Sequence, residues 1–186
     1  MDGTGRTGRG RKPSHEMSAT EVTGLLDAFE SAGVAVWVDG GWGVDALCHE
    51  QLRTHDDLDV VVGIEDVPIV KAVLRDAGYT HQESDAPLSF MVVDPAGRQV
   101  DVHPVTFDGD GDGLYQMPGG ETWNYSAAGL AGTGSIGGRP VRCLTPQLQM
   151  LAHAGYELTE RDREEIRILH ERFGVDPPPG DAGLGS

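Results

Sequence analysis

The chain has 186 residues, 38% hydrophobic and 6% aromatic, enough for one ordinary domain with a modest core. Its formal net charge is -16; Arg6, Arg9, Arg11 and Lys12 against Asp2 make residues 1–15 +3, so everything after them carries -19. That acidity disfavours nucleic acid as the main partner, since phosphate binding needs clustered Lys and Arg, and it would concentrate a cationic small molecule or simply keep the protein soluble.

Cys48 and Cys143 form no Cys-x-x-Cys pair and no disulfide framework, which predicts a reduced, cytoplasmic protein. No stretch approaches the roughly 20 apolar residues of a membrane span. The basic N-terminus lacks the apolar core of a secretion signal. Residues 1–15 read as a disordered leader.

Ser18-Ala19-Thr20-Glu21 has the form of a capping box, in which each side chain satisfies an orphan backbone donor of the other. Val22, Leu25, Leu26 and Phe29 follow at helical spacing, and Gly33 stops the helix. Val34 to Val38 is short, apolar and β-branched, which predicts a buried strand. A Gly40-Gly41 turn comes next, then a short helix over Trp42 to His49. A second strand is expected over Leu58 to Val62, and a helix over Ile64 to Ala77 with Pro68 in its first turn. Leu88 to Val93 and Gln99 to Val105 should pair as a hairpin around Pro95-Ala96-Gly97-Arg98. Residues 107–138, rich in Gly, Asp and Ser, read as one long loop, functional or disordered. Arg139 to Leu144 resumes a strand. Thr145-Pro146 and Thr159 start two final helices, the second closed by Gly174, and the Pro- and Gly-rich residues 176–186 read as a flexible tail.

Strand alternation of period two puts Asp57 and Asp59 on one face and Leu58 and Val60 on the other. Asp101 and His103 share a face of the later strand, opposite Val100 and Val102. If the two strands are neighbours, three carboxylates converge, and like charges that close repel unless a cation sits among them. Hard cations such as Mg²⁺ take carboxylates plus substrate phosphates, and two metals can stabilise both oxygens of a phosphoryl displacement. The Gly40-Gly41 turn lets backbone approach a triphosphate, and the helix start beyond it offers free N–H groups to an anion. Asp-x-Asp and Gly-Gly are each common; their order along the chain, with a later Asp strand, is the stronger signal.

These residues, Gly40-Gly41-Trp42-Gly43-Val44-Asp45, Arg53-Thr54-His55-Asp56-Asp57-Leu58-Asp59 and the later Asp101, resemble the DNA polymerase β-like nucleotidyltransferases. More narrowly, they are similar to the small aminoglycoside and lincosamide nucleotidyltransferases of antibiotic resistance. The resemblance runs from about Val36 to Phe173 and includes Gly138-Arg139-Pro140-Val141-Arg142-Cys143. It implies an α+β fold with a mixed sheet flanked by helices: a nucleotidyltransferase domain over 16–144 and C-terminal helices over 145–175 packed on it. It also implies transfer of a nucleoside monophosphate, usually AMP from ATP, to a hydroxyl of the drug, with Mg²⁺ (two ions) and release of pyrophosphate. Asp57 and Asp59 would bind the metals. Asp101 would complete the site and serve as general base.

Arg53 is placed to meet phosphate oxygens, or is a surface arginine. His103 could orient Asp101 or contact the acceptor, and His55 reads as a turn residue or a phosphate contact. Asp45 is expected to cap or pack. Asp108 to Gly113 begins like a calcium loop, but its twelfth position is Gly119 where a bidentate Glu is needed, so calcium is rejected. Trp123 and Tyr125 would line an acceptor pocket or anchor the loop. Glu157, Glu160, Asp162, Glu164 and Glu165 read as a solvated face, with ammonium binding as the alternative. Rival readings are a protein or tRNA acceptor, an inactive nucleotide sensor, and an acidic scaffold for a basic protein. A homodimer with a shared pocket stays open.

Overall fold

The computed structural model describes residues 16–81, 89–117, 119–154 and 156–177. The expected leader, Leu88 of the expected hairpin and the tail beyond residue 177 lie outside those residues.

Ser18 caps helix α1 (Ala19–Ser31) as anticipated: the Glu21 amide donates to Ser18 Oγ at 3.3 Å, and the Ser18 amide to Glu21 Oε2 at 2.7 Å. α1 buries Val22, Leu25, Leu26 and Phe29, and Gly33 turns the chain at φ 80°. Strand β1 (Val36–Asp39) runs directly into helix α2 (Gly40–Cys48). Strand β2 (Asp57–Gly63) follows, then a 3₁₀ turn and helix α3 (Val67–Asp76), so the expected single helix from Ile64 is split at its start. Strands β3 (Thr80–His81), β4 (Phe90–Val93) and β5 (Gln99–Phe107) complete this half, with β4 and β5 forming the expected antiparallel hairpin.

Residues 107–138 are a correction. They are largely structured: strands β6 (Gly113–Gln116) and β7 (Thr122–Tyr125) form a hairpin continuing from β5, and strand β8 (Gly132–Ile136) pairs with β9 (Arg139–Cys143). The glycines that suggested a loop instead allow close packing. A Cβ at Gly134 would lie 2.2 Å from Ala46 O of α2, and one at Gly132 2.4 Å from Cys143 O. The Asp108 carboxylate accepts from the amides of Asp110 and Asp112 at 2.9 and 3.0 Å. That run is a side-chain-closed turn between β5 and β6.

The sheet order is β3-β4-β5-β2-β1-β9-β8, with β2 and β5 parallel and β1 and β2 antiparallel. Strand alternation sorts β2 and β5 into two cores. Leu58, Val60, Val62, Val100 and Val102 join a large cluster with Phe29, Val70 and Leu74. Val61 and Val105 join a smaller one with Tyr115, Tyr125, Leu144 and Leu148. Each fully buried side chain of this size contributes roughly 1.5–3 kcal/mol. Helices α4 (Pro146–Ala152) and α5 (Glu160–Phe173) close the chain, capped by Thr145 and by a Thr159–Asp162 box, with Gly174 at φ 67°. Both cysteines are free thiols, and among the described residues no helix is long and apolar enough to cross a membrane.

Candidate active site

The strand register brings the expected carboxylates together. Asp59 of β2 stands opposite Asp101 of the parallel neighbour β5, and opposite Asp39 of the antiparallel neighbour β1. Three carboxylates therefore form a row across three adjacent strands, at the edge of the smaller core. Asp57 lies two residues before Asp59 and shares its face, while His103 lies two beyond Asp101. One ligand atom each from Asp59, Asp101 and His103 lies within 4.8 Å of the others. Asp57 is outside that trio but lines the same cleft.

Burial and crowding raise the proton affinity of Asp39, Asp57 and Asp101. Desolvation pushes Asp101 above the ordinary carboxylate range; Asp59 and Asp57 add to the rise and His103 opposes it. Asp57 is raised for the same first reason, with Asp59 adding. Desolvation takes buried Asp39 up to about 6, with the His103 charge opposing it. For His103, burial alone would lower the value, but the close approach of Asp59 and the charges of Asp101, Asp59 and Asp39 reverse this and lift it to about 9. His103 Nε2 is 3.7 Å from Asp59 Oδ1, and its ring packs edge-on against Tyr115. The imidazolium balances part of the negative charge.

The glycine pair differs from the expected turn: Gly40 and Gly41 are the first residues of α2. Gly40 takes φ 58°, and its amide donates to Asp39 Oδ1 at 2.6 Å, so Asp39 caps the helix. Neither glycine can carry a side chain in place. A Cβ at Gly40 would lie 2.3 Å from Asp59 Oδ2; one at Gly41 would lie 2.4 Å from Arg53 Nη2 and 2.6 Å from His55 Nδ1. The start of α2, Arg53 and the aspartates thus meet at contact distance. His55 is buried under Gly41, held by Asp45 Oδ2 at 2.5 Å from Nε2 and packed on Trp42 at 4.6 Å between ring centroids. Asp45 is a buried partner of His55, in keeping with the packing role expected of it.

Asp39, Gly40, Gly41, Arg53, Asp57 and Asp59 line a cleft of about 400 Å³ whose opposite wall is built by α4, α5 and the segment between them: Gln149, His153, Tyr156, Asp162 and Glu165. Glu165 corrects the solvated-face reading. It is 6% exposed and binds Arg53 Nη2 through Oε1 at 2.5 Å. Glu157, Glu160 and Glu164 are exposed, as expected. Asp162 caps α5. Tyr125 is buried behind Asp39, its hydroxyl 3.5 Å from Asp39 Oδ2, and Trp123 packs edge-on against it. Asp39, Gln149 and His153 escaped the sequence reading as site residues, and Glu165 entered it only as a solvated residue or an ammonium contact. For Asp39 a signal existed, since it directly precedes Gly-Gly at a strand end; the helix residues offered none.

Residues 21–169 match the profile of the aminoglycoside-2''-adenylyltransferase family. A lincosamide resistance protein from Staphylococcus haemolyticus is 30% identical over 156 residues, 84% of this chain and 96% of that protein. A 2''-aminoglycoside nucleotidyltransferase from Escherichia coli is 28% identical over 131 residues, 68% of this chain and 69% of that one. Among solved structures, the lincomycin-bound lincosamide adenylyltransferase LnuA superposes with a TM-score of 0.74 at 30% identity, over 83% of this chain and 97% of that one. ANT(2'')-Ia in complex with adenylyl-2''-tobramycin shares the fold, with a TM-score of 0.66 at 20% identity over 83% and 88% of the two chains. With its nucleotidyltransferase fold and this match over most of its length, the chain belongs to the aminoglycoside-2''-adenylyltransferase family.

Proposed function

We propose that the protein transfers AMP from ATP to a hydroxyl of a lincosamide or aminoglycoside antibiotic, releasing pyrophosphate. The observation that carries this reading is the juxtaposition of Asp57 and Asp59 with the start of α2 and Arg53 around one cleft, with Asp101 opposite Asp59 on the adjacent strand. The acceptor hydroxyl attacks the α-phosphorus, the bond from that phosphorus to the bridging oxygen breaks, and pyrophosphate leaves. Asp101 takes the hydroxyl proton, a role its raised proton affinity suits. Arg53 and the free amides at the start of α2 hold phosphate oxygens, and Gly40 and Gly41 make room for the approach.

The donor set fits a hard divalent cation: crowded carboxylates on one face, with ligand atoms of Asp59 and Asp101 close together. Asp57, Asp59 and Asp101 would hold Mg²⁺, one ion or two, which would neutralise charge on the transferring phosphate. His103 stands beside them as a balancing charge or acceptor contact. Two free thiols and a nucleotide co-substrate support a cytoplasmic setting.

Lincosamides come first among acceptors, because the relative matched over 96% of its length is a lincosamide resistance protein. Incubation with ATP, Mg²⁺ and a panel of lincosamides and aminoglycosides tests the reading by mass spectrometry. One antibiotic should gain the mass of one AMP. Measurable ATP binding with no product from any acceptor would replace this reading with a nucleotide sensor.

A further inference from the structure

Arg53 does not reach into the cleft unsupported. Its Nη2 donates to Glu165 Oε1 at 2.5 Å and its Nη1 to Thr54 O at 3.0 Å. The guanidinium lies against Gly41, where a methyl group would collide with it. Glu165 comes from α5, 112 residues later, and is nearly buried. A carboxylate so buried is costly unless paired, so the pair is fixed from both sides. Glu165 Oε2 then faces His153 Nε2 at 3.5 Å, and His153 Nδ1 meets the Tyr156 hydroxyl at 3.0 Å. His153 is 7% exposed, and its Nε2 makes no hydrogen bond. Tyr156, 51% exposed, stands at the outer end of this chain of contacts and donates to Asp162 at 3.2 Å. All of these side chains line the one cleft.

We propose that Glu165 is a positioning residue for the nucleotide: it holds the Arg53 guanidinium against Gly41 so that its remaining N–H groups meet phosphate oxygens, and it ties that geometry to α4 and α5 through His153 and Tyr156. The proposal rests on the nucleotidyltransferase reading above. A carboxylate that only docked α5 would affect stability alone. One that bound an acceptor ammonium would affect acceptor affinity alone. A positioning residue affects the nucleotide.

ATP binding with Mg²⁺ is measured by calorimetry on the whole protein, beside KM for the acceptor and the thermal midpoint. Glu165→Gln should weaken ATP binding about tenfold, the loss typical of a charge-assisted contact, with acceptor KM near wild type. Glu165→Asp should recover part of that loss. Glu164→Gln, exposed one residue away and paired with Arg167, should leave ATP binding unchanged. Arg53→Lys combined with Glu165→Gln should weaken ATP binding no further than Arg53→Lys alone. Unchanged ATP affinity in both Glu165 variants, or a rise in acceptor KM only, would overturn the proposal. A wild-type protein that binds no ATP would instead defeat the reading it rests on. Should Glu165→Gln fail to fold, Glu165→Asp carries the same comparison.

Discussion

Gly41 sits where three functions meet: it lies in the first turn of α2, it leaves space for Arg53, and it covers His55. Arg53 is the end of a flexible side chain and could retreat from a methyl group. His55 is boxed between Trp42 and Asp45 and could not. Gly41→Ala should therefore shift the start of α2 or Arg53 by a fraction of an ångström, lowering kcat/KM for ATP by about a hundredfold with the circular dichroism spectrum retained. Wild-type kcat/KM in that variant would mean the space over Gly41 is not used by phosphate. Asp57 and Asp59 are legible in the sequence because strand alternation assigns them a common direction, while Asp101 joins them through the β2–β5 pairing and through the family resemblance. Asp39 carries only the weaker signal of preceding Gly-Gly at a strand end, and its place beside Asp59 depends on the β1–β2 register. Glu165 sits beside Glu164 in a run with Glu160 and Asp162, and which of these is buried depends on how α5 docks rather than on the run itself.

The cleft's far wall depends on short helices, and helix ends decide whether such elements form. α5 starts at a box in which Thr159 Oγ1 accepts from the Asp162 amide at 3.3 Å and the Thr159 amide donates to Asp162 Oδ2 at 2.7 Å. Thr159→Ala should lower unfolding free energy by about 1 kcal/mol, read as a lower urea midpoint at unchanged slope. An unchanged midpoint would show that the box adds nothing to α5. Leu169, fully buried on the same helix, should cost about 2–5 kcal/mol when changed to Ala, measured the same way. A smaller loss would mean that α5 is only loosely docked. Elements with caps and clean periodicity, such as α1 and α5, could be read from sequence. Strands β6 and β8 could not, since Gly113 packs on Val105 of β5 and Gly132 and Gly134 pack on β9 and α2, yet all look locally like loop residues.

Over the whole molecule the net charge is -16, and the cleft adds Asp39, Asp57, Asp59, Asp162 and Glu165 against Arg53 and Arg161. Such a field attracts cationic acceptors and is screened by salt. KM for a polycationic aminoglycoside should rise several-fold between about 0.01 and 0.15 M salt, while KM for ATP should not rise. Equal salt insensitivity for both substrates would leave the acidity a matter of solubility alone. Nucleotidyl transfer is assigned to Asp57, Asp59 and Asp101, with Asp101 taking the acceptor proton. Asp101→Asn tests it most directly, by comparing product formation from labelled ATP and an accepted antibiotic with ATP affinity in the same preparation. The rate should fall at least about a hundredfold, the contribution expected of a general base, with ATP affinity within a few-fold of wild type. Wild-type turnover in Asp101→Asn would contradict the assignment.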